Sequence, residues 1–318
     1  MRKIIDDKRL LIKCSVMYYM QYKTQNEISN ILGISRPTVS RLLKEAKDKG
    51  IVKIQIQDFK ENYNHFERLE DEIERKYGLL EVIIVNDEND ENTLKQELGK
   101  ATARYLERIL KNKDIVGVSM GTTLKEIYKF VSSESKVDAT FIPLIGGVGQ
   151  IGIELHANQI VMDLSRAFKG KFKLLHAPAV ISDINIKENF EKEKSLKEVI
   201  NYIYKANVAI VGIGAPTENS TLMATGYFDA TYMKNIKKLK AVGDICLQFF
   251  DIDGNYEKFP DNKKVFGIEL QKLKNIDRVI GVAGGNEKAE SIIGAIKGKY
   301  INVLITNYSC AKKINEFV

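Results

Sequence analysis

From about residue 80 onward the chain repeats one pattern: a short apolar run, a corner that often holds glycine, then an amphipathic stretch. The runs are EVIIV (81–85), DIVGVS (114–119), ATFIPLI (139–145), FKLLHAPAV (172–180), NVAIVGIG (207–214), DICLQFF (244–250), RVIGVAG (278–284) and INVLIT (301–306). Helical stretches near 92–111, 123–132, 154–168, 190–205 and 287–296 lie between several of them. Continuously apolar strands bury both faces, and the alternating helices supply the cover. The pattern predicts an α/β domain on a mainly parallel sheet.

Length leaves room for more. At 318 residues the chain accommodates a small module beside a large one, and 44% hydrophobic content supports a proper core. Charge locates the small module. Residues 1–57 hold twelve Lys/Arg against five Asp/Glu, so the whole formal excess of +7 sits there and the remainder balances. That is the footprint of a nucleic-acid-binding unit. Residues 1–57 are expected to form it. Residues 58–80 hold a polar linker, DFKENYN (58–64), and a helix with Phe66, Leu69, Ile73 and Tyr77 on one stripe. That helix is either a dimerisation element or the first packing helix of the larger domain, 81–318.

Within the basic module, residues 8–20 read as a helix with Leu11, Ile12, Val16, Met17 and Met20 at helical spacing. Thr24 and Glu27 form a T-x-x-E capping box for the next helix. Gly33 suits the left-handed turn of a helix–turn–helix, and Ile34 plugs it. Ser35 caps the following helix, Pro37 sits harmlessly in its first turn, and Val39, Leu42 and Leu43 face inward. Arg36, Pro37, Thr38, Ser40 and Arg41 are then placed for base or near-base contact in a major groove. Lys44, Lys47 and Lys49 are placed for phosphate. The segment IVKIQIQ (51–57) alternates as a short strand.

Two corners of the large domain suit an anion. GVSMGTTLKEI (117–127) brings Gly121, Thr122 and Thr123 to a strand end and helix start, although Thr123 and Glu126 also read as a plain capping box. GVAGGNEKAES (281–291) brings Gly284, Gly285 and Lys288 to another, and a lysine at a helix start favours a nearby anion. PLIGGVGQ (143–150), GIGAP (212–216) and GDICLQFFDIDG (243–254) are further corners of a possible pocket. Gly146, Gly147, Asn158, Gly284 and Gly285, with Gln159 beside Asn158, are candidates for sugar contact. Asp244 is either a carboxylate for sugar hydroxyls or a turn residue making an Asx bond. Asp251 and Asp253 frame Gly254 as hairpin-turn residues.

Several chemistries find no support. Neither G-x-x-x-x-G-K-[ST] nor a clean G-x-G-x-x-G is present, and His65, His156 and His176 lack metal-like spacing. No cofactor and no metal are expected. Ile145 leaves that strand end without a Schiff-base lysine. Cys14, Cys246 and Cys310 lie far apart, which excludes a disulfide scaffold and suits a reducing cytosol. No apolar run approaches the ~20 residues of a membrane span. MRKIIDDKRL does not read as a signal peptide, so a cytoplasmic protein with no membrane partner is expected.

Taken together, QNEISNILGISRPTVSRLLKEAKDKGIV, VGVSMGTTL, PLIGG, LLHAPAV, GIGAP, VGDICLQFFDIDG and VIGVAGGNEKAESIIGAIKGKYINVLITN resemble the SorC-type sugar-binding transcriptional regulators. The resemblance runs over nearly the whole chain. It implies a Rossmann-like effector domain related to the sugar-phosphate isomerase fold, behind an N-terminal helix–turn–helix. It implies operator DNA, a phosphorylated sugar and further copies of the chain, as dimer or tetramer, as partners. Gly121, Thr122, Thr123 and Lys288 match the family's phosphate-binding motifs, and Asp244 its acidic sugar-facing position. The expectation is a regulator, most simply a repressor, and no enzyme. The rival is an isomerase or deaminase with a DNA-binding appendage, which would need a general acid and base that the carboxylates at these turns do not supply. A third reading has the large domain only oligomerise.

Overall fold

The computed structural model describes residues 8–54, 66–149, 151–217, 223 and 225–317. The chain divides into two compact units, 1–63 and 64–318.

In the first unit, α1 (Lys8–Ser15) runs into a π-helical turn, Val16–Met20, followed by α2 (Gln25–Leu32) and α3 (Arg36–Asp48). Leu11, Cys14, Met17, Ile28, Val39, Leu42, Leu43 and Ala46 form its core. The Thr24–Glu27 capping box is closed at both ends: Glu27 N–H donates to the Thr24 hydroxyl at 3.3 Å and Thr24 N–H to the Glu27 carboxylate at 2.7 Å. Gly33 holds φ +64°, the left-handed turn that lets α3 cross α2 without a Cβ penalty. The Ser29 hydroxyl donates to Ile34 O at 2.5 Å across that turn. Residues 51–54 form no strand. Val52 N–H instead bonds Ala46 O at 3.0 Å, and Ile51 and Val52 cover the end of α3, so their apolar surface is used locally. Residues 55–57 of the expected strand and the expected linker 58–64 lie outside the described residues.

The second unit opens with α4 (Glu67–Tyr77), then β1 (Glu81–Val85), α5 (Glu91–Ile109), β2 (Ile115–Val118), β3 (Thr140–Pro143), α6 (Ala157–Ala167) and β4 (Lys171–Phe172). It continues with α7 (Ile184–Lys192), α8 (Lys194–Tyr204), β5 (Val208–Gly212), α9 (Ala230–Lys238), β6 (Ala241–Ile245), β7 (Gln248–Asp251) and α10 (Leu270–Leu273). It ends with β8 (Arg278–Val282), α11 (Ala289–Lys297), β9 (Val303–Asn307) and α12 (Tyr308–Glu316). Among the described residues the main sheet has the order β1-β9-β8-β5-β2-β3-β4, with every pairing parallel.

Alternate residues of these strands enter different cores. Val208 and Ile210 of β5 join Leu98, Leu106, Leu124 and Leu164 on one face. Ala209 and Val211 join Ile73, Ile203, Ile292 and Ile314 on the other. This two-sided burial is why the strands read as continuous apolar runs. The Phe66–Tyr77 stripe is used within this unit: Ile73 is fully buried, and Phe66, Leu69 and Tyr77 pack against the same core.

Four elements differ from the sequence pattern. Of FKLLHAPAV only Phe172, with Lys171 before it, pairs as strand: the Asn158 amide takes both backbone groups of Leu175, and Pro178 and Val180 make only isolated bridges, to Gly147 and Val265. DICLQFF is the arm and turn of an antiparallel hairpin, β6–β7, since Cys246 and Leu247 both hold positive φ, +52° and +60°. The helix expected over 190–205 breaks at Glu193, whose extended backbone separates α7 from α8. The stretch after Thr123 is a 3-10 helix, Leu124–Phe130.

Candidate effector cavity and DNA-reading helix

The chain leaves β2 toward β3 on one side and leaves β5 toward β8 on the other. Strand order therefore reverses between β2 and β5, and ligands of open α/β sheets bind outside the carboxyl ends at such a point. A cavity of about 590 Å³ lies there. Its walls are the corners after three adjacent strands: Met120–Leu124 after β2, Gly212–Gly214 after β5, and Val282–Gly284 with Glu287 and Lys288 after β8. Asp244, Cys246 and Leu247 of the β6–β7 hairpin enter from the side.

One end of the cavity offers donors. Thr123 makes no side-chain cap, and the Glu126 carboxylate pairs with Lys129 at 2.7 Å, so the capping box read there does not form. Among the described residues the hydroxyls and amides of Thr122 and Thr123 have no hydrogen-bond partner. Lys288 is half-buried, stands at the start of α11 and forms no ion pair among the described residues. The Ser119 hydroxyl accepts Gly212 N–H at 3.0 Å and fixes the β2 and β5 corners against each other.

Asp244 supplies the opposite chemistry. It is buried, and burial pushes its carboxyl up to about 6, although the Lys288 charge and the Leu247 amide act the other way. Cys246 is buried beside it, and burial together with the Asp244 charge raises the thiol well above its ordinary range, so it stays protonated. Fixed amides, a cation and a buried acceptor in one cavity that Leu94, Leu98, Leu155 and Ile213 also line suit an anion that carries hydroxyls.

Gly121, Thr122, Thr123, Asp244, Gly284 and Lys288 thus line one cavity. Gly285 stands beside it, its amide donating to Asn307 Oδ1 at 2.9 Å. Gly146, Gly147 and Asn158 do not line it. Gly146 N–H bonds Phe266 O at 3.0 Å, Gly147 N–H bonds Ala177 O at 2.7 Å, and Asn158 is committed to Leu175. Gln159 donates to Asp163 at 3.0 Å. Asp251 accepts from Asn255 and Asp253 and pairs with Lys258, and Gly254 turns the chain beside them. The sequence reading missed Glu91, Lys95, Leu94 and Leu98, the α5 wall, where Lys95 pairs with Glu91 at 2.6 Å. Their i, i+3, i+4, i+7 spacing was the available signal.

In the first unit, α3 presents Arg36, Pro37, Ser40, Arg41 and Lys44 to solvent. Thr38 is half-buried, and its hydroxyl shares a 2.8 Å hydrogen bond with that of Ser35. Lys49 pairs with Glu45 at 2.8 Å, and Lys47 lies 5.8 Å from the centre of the Tyr19 ring. No helix among the described residues is long and apolar enough to cross a membrane.

Residues 61–315 match the family model described as "Putative sugar-binding domain", and residues 22–61 match the "Crp-like helix-turn-helix domain". The chain is 34% identical over 310 residues to the deoxyribonucleoside regulator of Bacillus subtilis, covering 97% of this chain and 98% of that one. It is 31% identical to the sorbitol operon regulator of Klebsiella pneumoniae, with 96% and 98% covered. The crystal structure of that full-length regulator superposes with a TM-score of 0.75 at 30% identity, over 98% of this chain and 100% of the other. These relatives are named as regulators and not as enzymes. The chain belongs to the SorC-type family of sugar-binding transcriptional regulators, with a helix–turn–helix joined to a parallel-sheet sugar-binding domain.

Proposed function

We propose that the protein is a cytoplasmic repressor whose affinity for operator DNA falls when a phosphorylated sugar occupies the cavity. Residues 1–57 read the operator, residues 81–318 bind the effector, and residues 58–80 join them. The observation that carries this reading is the convergence of unpartnered Thr122 and Thr123 donors with Lys288 in the cavity that also holds Asp244. The phosphate sits on Gly121–Thr123, Gly284 and Lys288. Sugar hydroxyls donate to Asp244. The names of two relatives, a deoxyribonucleoside and a sorbitol operon regulator, agree with a sugar-derived signal. Arg36, Pro37, Thr38, Ser40 and Arg41 read or border the bases, and Lys44 holds phosphate. Two copies of the chain, alone or paired into a tetramer, present two such helices to a two-fold operator. The effector acts because free and bound arrangements present those helices differently, by the differential affinity it has for the two.

A thermal-shift panel tests the effector half. Ribose 5-phosphate, glucose 6-phosphate and sorbitol 6-phosphate are compared with their free sugars and with inorganic phosphate, because a ligand of the folded state raises Tm by mass action. The reading expects a rise with one phosphosugar that its free sugar lacks and that Lys288→Ala removes. No rise with any member, or a rise unaffected by Lys288→Ala, contradicts it.

A further inference from the structure

The loop that carries Gly284, Glu287 and Lys288 is tied to the end of β9 by one side chain. Asn307 is buried and accepts Gly285 N–H on Oδ1 at 2.9 Å, while its Nδ2 donates to Asp87 Oδ1 at 2.6 Å. The same carboxylate accepts the Ser309 amide at 2.9 Å and the Ser309 hydroxyl. Burial acts against ionisation of Asp87, but the Ser309 and Asn307 bonds outweigh it and hold the carboxyl below its ordinary range. As an ionised, acceptor-only group it fixes which way round the Asn307 amide sits, and so keeps its oxygen on Gly285.

Ser309 lies in the first turn of α12, and α12 is fastened to α4 along its length. The Tyr77 hydroxyl donates to Ile314 O at 2.8 Å. Lys76 donates to the carbonyls of Asn315 and Phe317 at 2.7 and 2.6 Å, and Asn315 donates to Glu72 at 2.9 Å. Tyr308 stacks on Phe66 with ring centres 5.1 Å apart. In sequence, α4 follows the unit that carries the helix–turn–helix.

We propose that Asp87 and Asn307 are positioning residues that couple the Lys288 loop to α12 and α4, so that occupancy of the cavity is transmitted to the helix leading to the DNA-reading unit. This rests on the reading that the cavity takes the effector. An anion drawn onto Lys288 and Gly284 pulls on a loop whose neighbouring amide is already held. The strain passes to Asn307 and Asp87, and the carboxylate that fixes Asn307 also fixes the start of α12. Coupling through such a path is a free energy shared between its two ends, and removing the shared carboxylate uncouples them without emptying the cavity.

The test is hydrogen exchange on the full chain, with and without each of the three sugar phosphates named above, in the parent, Asp87→Ala and Ser309→Ala. In the parent, a binding phosphosugar is expected to slow exchange about threefold or more both in 284–289 and in 67–77. In the variants the change at 284–289 persists and the change at 67–77 is lost. Ser309→Ala removes one hydroxyl donor and keeps the measurement meaningful if Asp87→Ala fails to fold. A merely structural role would shift exchange at 67–77 equally in the free and bound protein. Ligand-dependent change at 67–77 that survives in both variants overturns the proposal, as does protection at 284–289 alone in the parent. Absence of any change at 284–289 with every phosphosugar overturns instead the assignment of the cavity, and the coupling falls with it.

Discussion

Gly214 and Asp244 exchange a reciprocal pair of backbone hydrogen bonds, Gly214 N to Asp244 O at 2.9 Å and Asp244 N to Gly214 O at 3.1 Å. These bonds join the hairpin β6–β7 to the corner after β5 and deliver a buried carboxylate to the cavity. A Cβ on Gly214 would stand 1.9 Å from Asp244 Oδ1. Gly214→Ala must therefore displace the Asp244 side chain, and relieving the clash costs about 1–3 kcal/mol. The expected outcome is a folded protein, lowered in Tm, whose affinity for the effector falls about 10- to 100-fold through loss of a charge-assisted hydrogen bond. Circular dichroism and calorimetric titration check the two parts separately.

Asp244 sets a pH dependence with a definite sign. Its folded value near 6 lies above its ordinary value of 3.8, so between these the folded state holds the extra proton. Stability from this group is greatest at low pH and declines as pH rises from about 4 to about 6. Above that, the buried charge opposes folding, and Asp244→Asn is expected to raise the Tm of the free protein at pH 7.5. In the proposed mode of binding the effector dependence runs the other way, because the ionised carboxylate is the stronger acceptor for sugar hydroxyls. Affinity should weaken as pH falls through 6 more steeply in the parent than in Asp244→Asn, where only the second ionisation of the sugar phosphate, at about 6, remains.

Asn158 provides a contrast. Both ends of its amide serve the buried Leu175 backbone, at 3.1 and 3.0 Å. Asn158→Ala leaves those groups unpaired and should cost about 1–3 kcal/mol in urea denaturation. The thermal shift produced by a phosphosugar should be retained, since Asn158 does not line the cavity.

The contrast shows what the sequence carried. Strands β2, β5, β8 and β9 were legible because a strand buried on both faces is apolar at nearly every position. The helix–turn–helix was legible because Thr24, Gly33 and Ser35 act within a few residues of themselves. Corners after strands were legible as glycine-rich, but which of them share a cavity is a matter of strand order. The β2, β5 and β8 corners meet because those strands are neighbours, whereas the β3 corner with Gly146 and Gly147 turns to pair with residues 177–179. The hairpin at Cys246 and Leu247 was hidden because neither residue is a turn former. Positive φ at both is imposed by the flanking pairings, and such strained backbone collects at functional sites.

The DNA contacts proposed for α3 fall into two classes. Arg36→Ala and Arg41→Ala should each weaken binding to a preferred duplex by about 1–3 kcal/mol while changing random duplex little. Lys44→Ala should weaken both alike and lower the slope of log affinity against log salt by about one. Fluorescence anisotropy with a duplex selected by the protein from random sequence measures all three. Equal losses on selected and random DNA for the arginines would remove them from base reading.

The most direct measurement is a titration of that selected duplex with the full-length protein, with and without the phosphosugar that raises its Tm. Coupling energies between sites typically correspond to changes of about 5- to 150-fold. On the proposed mechanism the phosphosugar weakens DNA binding within that range, and Lys288→Ala abolishes the effect. Unchanged or tighter DNA binding with the cavity demonstrably filled would contradict it.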